Sequence, residues 1–263
     1  MNRLKDKVAV VTGAADGIGL AISQAFVNEG ATVVMCDINA DKCHKESKKM
    51  EVDGSAITRS YACDVGKTKD IQFVIDRALE EFGNIDILVN NAAVAISGDI
   101  RNMPEENWDT VMNVNLKSVF RGVKATLPQM IQQQSGSVIT ISSVQAFRSW
   151  DDWTAYAAAK GAILSMSNQL AGQFGHFNVR FNTISPGAIL TPMNQRRIEE
   201  EGEGFLKSSI EQAAMLRMGE AEEVAMTAVF LASDEARFIN GEDIKVDGGL
   251  TSLPRYLNNA KNR

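Results

Sequence analysis

The sequence predicts an α/β fold: one doubly wound parallel sheet with helices on both faces. Three observations carry this expectation. Short apolar runs alternate with helical patterns along the 263-residue chain. A Gly-rich turn follows the first run, and no linker, repeat or low-complexity tract breaks the alternation.

Taken in order, residues 7–12 form a short apolar run of the kind buried on both faces of a parallel sheet. Ile18, Ala21, Ile22, Ala25 and Phe26 then recur on one helix face, and Gly30 ends that helix. Residues 31–37 make a second strand, followed by a polar helix through about Val52. A third strand ends at Cys63 and Asp64, with a helix from about Lys67 to Phe82, and residues 85–90 make the fourth strand. A long helical stretch opens at Pro104, a residue suited to the first turn. Pro128 is expected to interrupt it near its end. Residues 137–142 make a fifth strand, 156–174 the next helix and 179–184 a sixth strand.

Regularity lapses from Ser185 to about Phe205, through a charged stretch. A loop of this length is a lid, here about residues 188–215, or a solvated insertion. A helix over 220–232 and a strand over 243–247 finish the sheet. Residues 1–263 therefore read as a single Rossmann-like domain.

Composition excludes several classes. A net charge of −6 with a pI near 5.1 leaves no basic surplus for nucleic acid. The charged opening Asn2-Arg3-Leu4-Lys5 has no signal-peptide pattern, and no apolar run is long enough to span a bilayer. Cys36, Cys43 and Cys63 lack C-x-x-C spacing, which fits a reducing compartment. His44 and His176 stand alone, so no metal is expected. A cytoplasmic protein is expected, without a membrane or nucleic-acid partner.

Gly13, Gly17 and Gly19 lie between the first strand and its helix. Without Cβ they let the backbone turn tightly and approach a pyrophosphate at the helix N-terminus. Methyltransferases also carry Gly-rich first turns, so this feature alone does not choose a chemistry. Asp37, ending the second strand, suits the two ribose hydroxyls of NAD and repels the 2′-phosphate of NADP. No Arg occurs among residues 37–41, and NAD is therefore the expected cofactor. Asp64 is placed for the adenine amino group, or is an ordinary turn aspartate.

The reacting groups come later. Ser143 ends the fifth strand, and Tyr156 and Lys160 stand one helical turn apart on one face. Carbonyl reduction needs a proton donor at oxygen, and alcohol oxidation needs a base. Free tyrosine, with a pKa of about 10, is a poor base at neutral pH. The Lys160 ammonium and a positive nicotinamide are expected to lower it.

These residues together resemble the short-chain dehydrogenase/reductase family, over about Leu4 to Gly249. Thr12, Gly13, Gly17 and Gly19 match its cofactor turn, which implies contacts from Asp16 and Ile18 as well. Asn90-Asn91-Ala92-Ala93 matches the family's Asn-Asn-Ala-Gly segment, with Ala93 where Gly is usual. Asn115 completes the Asn-Ser-Tyr-Lys tetrad with Ser143, Tyr156 and Lys160, and supports a water leading from Lys160 to solvent. Pro186, Gly187, Ile189 and Thr191 match the segment at the nicotinamide carboxamide. Ile38, Val65, Asn91 and Ala92 fall at strand ends beside Asp37, Asp64 and Asn90, where the cofactor passes. The resemblance implies an NAD-dependent oxidoreductase interconverting a secondary alcohol and a ketone. The competing classes are an NADP-dependent carbonyl reductase and a non-catalytic NAD-sensing protein.

Gln145, Arg148 and Trp150, together with Trp153, fall between Ser143 and Tyr156 and border the substrate by position. Aromatic faces with a few polar groups suit a sugar, a cyclic polyol or another hydroxylated ring. The tryptophans alternatively pack at a subunit interface. Val119, Phe120, Val123, Ile163, Leu164, Met166 and Leu170 give the two long helices apolar surface beyond one stripe. In the resembled family such helices pair across a two-fold axis, so a homo-oligomer, a dimer of dimers, is expected.

Overall fold

The computed structural model describes residues 2–51 and 57–252. Strands β1 (Val8–Thr12), β2 (Thr32–Asp37), β3 (Thr58–Ala62), β4 (Ile87–Asn90), β5 (Gly136–Ile141) and β6 (Val179–Pro186) alternate with helices. The helices are α1 (Gly17–Asn28), α2 (Ala40–Met50), α3 (Thr68–Phe82), α4 (Glu105–Val111), α5 (Lys117–Gln132) and α6 (Thr154–Phe174). The end of α2 expected near Val52 lies outside the described residues. After β6 come a short strand β7 (Ile189–Leu190), helices α7 (Pro192–Glu201) and α8 (Glu203–Glu211), strand β8 (Gly219–Glu220), α9 (Ala221–Ala232) and β9 (Asp243–Val246).

Seven strands make one parallel sheet in the order β3-β2-β1-β4-β5-β6-β9, and β7 pairs with β8 apart from it. The order reverses between β1 and β4, which pair over Ala9 to Val11 against Ile87 to Val89. Helices before and after that point leave toward opposite faces, and a crevice opens at the carboxyl ends of these strands.

Residue alternation along β1 sorts the core. Ala9 and Val11 face α1 and α9, packing with Ile22, Phe26, Val224 and Val229. Val10 faces the other layer, with Val74 and Ile75 of α3, Val123 of α5 and Ile163 of α6. Burial of apolar area on both faces is why these strands read as continuous apolar runs.

Three expectations need correction. Residues 185–205 are not irregular, since α7 and α8 occupy most of them. No residue of α7 is buried, so its sequence carries no apolar stripe to read. Pro128 does not end its helix, because α5 runs on to Gln132. Pro128 and Lys124, whose carbonyl loses its helical donor, are both exposed, so water takes the place of the missing bond. Val119, Val123 and Ile163 are core residues and unavailable to a partner.

Arg121 is a buried cation that the sequence did not single out. It donates to the Val65 and Asn113 carbonyls at 3.2 and 3.0 Å, to Asn113 Oδ1 at 2.6 Å and to Thr68 Oγ1 at 3.2 Å. It thereby ties the loop after β3 to the helix junction that carries Asn115. Arg121→Leu leaves several buried acceptors unpaired and is expected to lower unfolding free energy by about 3 kcal/mol. Urea unfolding of the two proteins side by side checks this.

Candidate active site

The crevice is built around the exit of β1. Thr12 Oγ1 accepts the backbone N–H groups of Asn91 and Ala92 at 3.0 and 3.2 Å and donates to the Val89 carbonyl. Asn91 Nδ2 donates to the carbonyls of Thr12 and Gly13, both at 3.0 Å. The turn that follows has no room for side chains at two of its glycines. Gly13 holds φ +64°, and a Cβ there meets Ala92 Cα at 2.8 Å. A Cβ on Gly19 falls 2.1 Å from the Gly13 carbonyl oxygen. Asp16 caps α1 by accepting from Gly17 N at 2.8 Å. The first-turn amides of α1 have no carbonyl partner within the helix. A bare backbone concavity beneath such amides fits a dinucleotide pyrophosphate.

Asp37 stands at the end of β2 beside the Gly-rich turn. Its Oδ2 accepts from Ala15 N at 3.1 Å and its Oδ1 from Asn39 N at 2.8 Å, so the carboxylate is held in place with lone pairs left for hydroxyl donors. Ile38 beside it is exposed, while Val65 in the loop after β3 is buried. Asp64 makes local contacts at the loop after β3. Its Oδ1 accepts from Gly66 N at 2.9 Å and its Oδ2 pairs with Lys67 at 3.1 Å.

Across the crevice, Ser143 leaves β5 and caps a short turn, its Oγ accepting from Gln145 N at 3.2 Å. It is also the neighbour whose hydroxyl acts to lower the Tyr156 pKa. Lys160, one turn further along α6, is buried and donates to the Ile141 carbonyl at 2.7 Å. Its Nζ lies 5.5 Å from the Tyr156 ring centroid. Burial pushes the phenol up to about 12, while the Ser143 hydrogen bond pulls the other way. Burial likewise pulls the Lys160 ammonium down to about 8. Within the protein alone, desolvation outweighs the lowering expected from Lys160, whose proton is aimed at a strand carbonyl.

Asn115 sits in a single π turn (Met112–Leu116) between α4 and α5 and is buried. Its Oδ1 accepts from Val94 N at 2.8 Å and its Nδ2 donates to Val94 O at 2.9 Å. Both ends of the side chain therefore brace the wall after β4.

The remaining sequence-named residues divide. Gly187 N donates to Val246 O at 2.9 Å, and the Ile189 carbonyl accepts from Asn194 at 2.8 Å. Thr191 caps α7 and lies against Gly17: a Cβ on that glycine stands 3.4 Å from Thr191 Cβ. Arg148 reaches away to the Leu250 carbonyl at 2.9 Å. The tryptophan against Tyr156 is Trp153, edge-on with centroids 5.6 Å apart, and not Trp150. Arg197 of α7 stacks on Trp153 at 5.2 Å and on Phe205 of α8 at 4.2 Å. Sequence reasoning missed Arg197 because nothing local marks a contact across 44 residues. Among the described residues no cluster of His, Cys, Asp and Glu could hold a metal ion, and no helix is long and apolar enough to cross a membrane.

The sequence pattern of the family described as Enoyl-(Acyl carrier protein) reductase matches residues 13–251. A 3-oxoacyl-(acyl-carrier-protein) reductase of Thermotoga maritima is 38% identical over 253 residues, covering 94% of this chain and 99% of the relative. D-threitol dehydrogenase of Mycolicibacterium smegmatis is 37% identical, covering 95% and 94%. The crystal structure of levodione reductase superposes with a TM-score of 0.92 at 28% identity, covering 95% of this chain and all of that one. This chain belongs to the short-chain dehydrogenase/reductase family and is an oxidoreductase of the alcohol dehydrogenase/reductase kind.

The lowered Lys160 pKa has a measurable sign. Below about pH 8 the folded and unfolded lysines are both charged, and the cost of burial is carried in full. From there to about 10.4 the folded lysine sheds its proton first, so the unfolded state binds more protons and stability rises with pH. Urea midpoints taken across this range are expected to show that rise in wild type and to lose it in Lys160→Met.

Proposed function

We propose that this chain is a cytoplasmic NAD-dependent dehydrogenase that interconverts a secondary alcohol and a ketone on a polyol or hydroxylated ring. The observation that carries the reading is the convergence of Ser143, Tyr156 and buried Lys160 across the crevice from a Gly-rich turn flanked by Asp37.

Residues on the Asp37 side bind and orient. The backbone of Gly13, Asp16, Gly17, Ile18 and Gly19 holds the pyrophosphate, and Asp37 accepts the ribose hydroxyls. Asn91, Ala92, Pro186, Gly187, Ile189 and Thr191 line the way to the nicotinamide. Bound NAD supplies the hydride acceptor, or in reduced form the donor, and only its oxidised ring carries positive charge.

Tyr156 moves the proton at the substrate oxygen, Ser143 holds that oxygen beside it, and Lys160 supports the phenol from below. The raised phenol pKa keeps Tyr156 a proton donor, as carbonyl reduction requires. Alcohol oxidation requires the phenolate, and a positive charge beside the ring favours it.

Two features support a hydroxylated substrate. Gln145 Oε1 is buried without a hydrogen-bond partner, an acceptor suited to a second substrate hydroxyl. Trp153 presents an aromatic wall next to Tyr156, with α7 and α8 above it as the lid. D-threitol, the compound in one relative's name, is a polyol. A homo-oligomer belongs to the same proposal. Met112, Leu116, half-exposed Phe120 and Met166 line an open groove of about 970 Å³ between the outer faces of α5 and α6.

Turnover followed by nicotinamide absorbance over a panel of polyols and cyclic alcohols tests the reading. Tyr156→Phe is expected to lower kcat by about 10²-fold or more while NADH still binds, because only the proton-transfer group is lost. Retention of more than about a tenth of wild-type kcat excludes Tyr156 as the acid/base. Equal kcat/KM with NAD and NADP refutes the cofactor assignment.

A further inference from the structure

The cofactor turn carries an ion pair that the reading above does not use. Asp16 spends one oxygen on the α1 cap and pairs the other with Lys42 Nζ at 2.5 Å. Lys42 belongs to the first turn of α2, and its own N–H is capped by Asn39 Oδ1 at 3.1 Å. Asn39 N donates to Asp37, and Asp37 accepts from Ala15, the neighbour of Asp16. Asp16, Ala15, Asp37, Asn39 and Lys42 thus form a closed ring of contacts around the ribose acid, with the ion pair as its last link.

We propose that the Asp16–Lys42 pair determines cofactor choice by withholding from the adenosine ribose the one cation of this ring. The proposal rests on the NAD reading and extends it. Asp37 by itself repels a 2′-phosphate, yet an ammonium on the same ring offsets that repulsion if free to turn. A lysine ammonium is a mobile point charge on a flexible stem, well able to receive a phosphate. Asp16 prevents this by occupying the ammonium and by adding a second carboxylate, so the ring carries two negative charges against one positive. Both side chains of the pair are 39% exposed, so the pair is open to an arriving anion and is not sealed in the core. Specificity of this kind needs a repulsive element against the wrong ligand as well as contacts to the right one.

Asp16→Asn is the informative change because asparagine caps a helix as well as aspartate does. The cap on Gly17 N is kept while the charge on Lys42's partner is removed. Fluorescence titration with NADH and with NADPH gives the ratio of their dissociation constants for wild type, Asp16→Asn, Asp16→Ser and the double variant Asp16→Asn/Lys42→Met. Both single variants are expected to shift the ratio toward NADPH by about tenfold or more, as a charge-assisted contact to phosphate provides. The shift is expected to shrink with added salt and to vanish in the double variant.

A ratio within about threefold of wild type in both folded single variants, the scale of an ordinary surface ion pair, overturns the proposal. Persistence of the full shift without Lys42 overturns it too, since removal of the acid alone then accounts for the effect. A wild type that binds both dinucleotides equally removes the NAD reading and this proposal together. An NADH-selective wild type whose Asp16 variants do not respond removes only the proposal.

Discussion

The clamp between Thr12 and Asn91 is the constraint on which the crevice depends. A parallel sheet that reverses its order leaves two strand ends side by side with their last polar groups unpaired, and burial makes such groups costly. Here one hydroxyl and one amide side chain bond five backbone groups at the exits of β1 and β4. The same bonds fix where the Gly-rich turn begins. From there the turn presents Ala15 N to Asp37, so the placement of the carboxylate follows from the placement of the turn. The sheet sets the location of the crevice, and this clamp sets its shape.

The opposite wall is governed by desolvation. Tyr156 and Lys160 lie close enough to interact, yet each is shifted mainly by loss of water, and each shift favours the neutral form. A lysine with a pKa near 8 is still mostly charged at neutral pH, so a positive charge stands beside the phenol there. Ser143 is the protein group whose hydrogen bond opposes the rise at the phenol. Its hydroxyl also caps the turn after β5, accepting from Gln145 N.

Legibility in the sequence followed burial. Strands and helices packed on the sheet announced themselves through apolar periodicity, and β1, α1, β2 and α9 begin and end within a residue or two of expectation. Helix α7 lacked that signal because it buries no side chain and is instead laced by an Arg197–Glu201 pair at 2.7 Å. Pro128 misled because a proline rule written for helix interiors ignores whether the orphaned carbonyl can reach water. In the site, backbone-defined positions such as Gly13, Gly19 and Asp37 were legible from residue type and strand end. Side-chain reach was not: Arg148 turns toward Leu250, and Trp153 rather than Trp150 meets Tyr156. Lys42 and Arg197 act through partners 26 and 44 residues away in the chain, and no local pattern marks such a partner.

The π turn over Met112–Leu116 links the site to the length of the chain as well as to its composition. Bonds from i to i+5 accommodate one more residue per turn than the regular helix, so this segment amounts to a helix with a residue inserted. Val111 before it and Val119 after it are both buried, which pins the helices on either side. Deleting one residue between them restores the ordinary pitch only by rotating one flank about 100° against the other. With both flanks anchored, the misfit falls on Asn115 and its two bonds to Val94. A helix ordinarily tolerates exchange of one side chain better than loss of one residue, and here that contrast extends to the wall of the crevice.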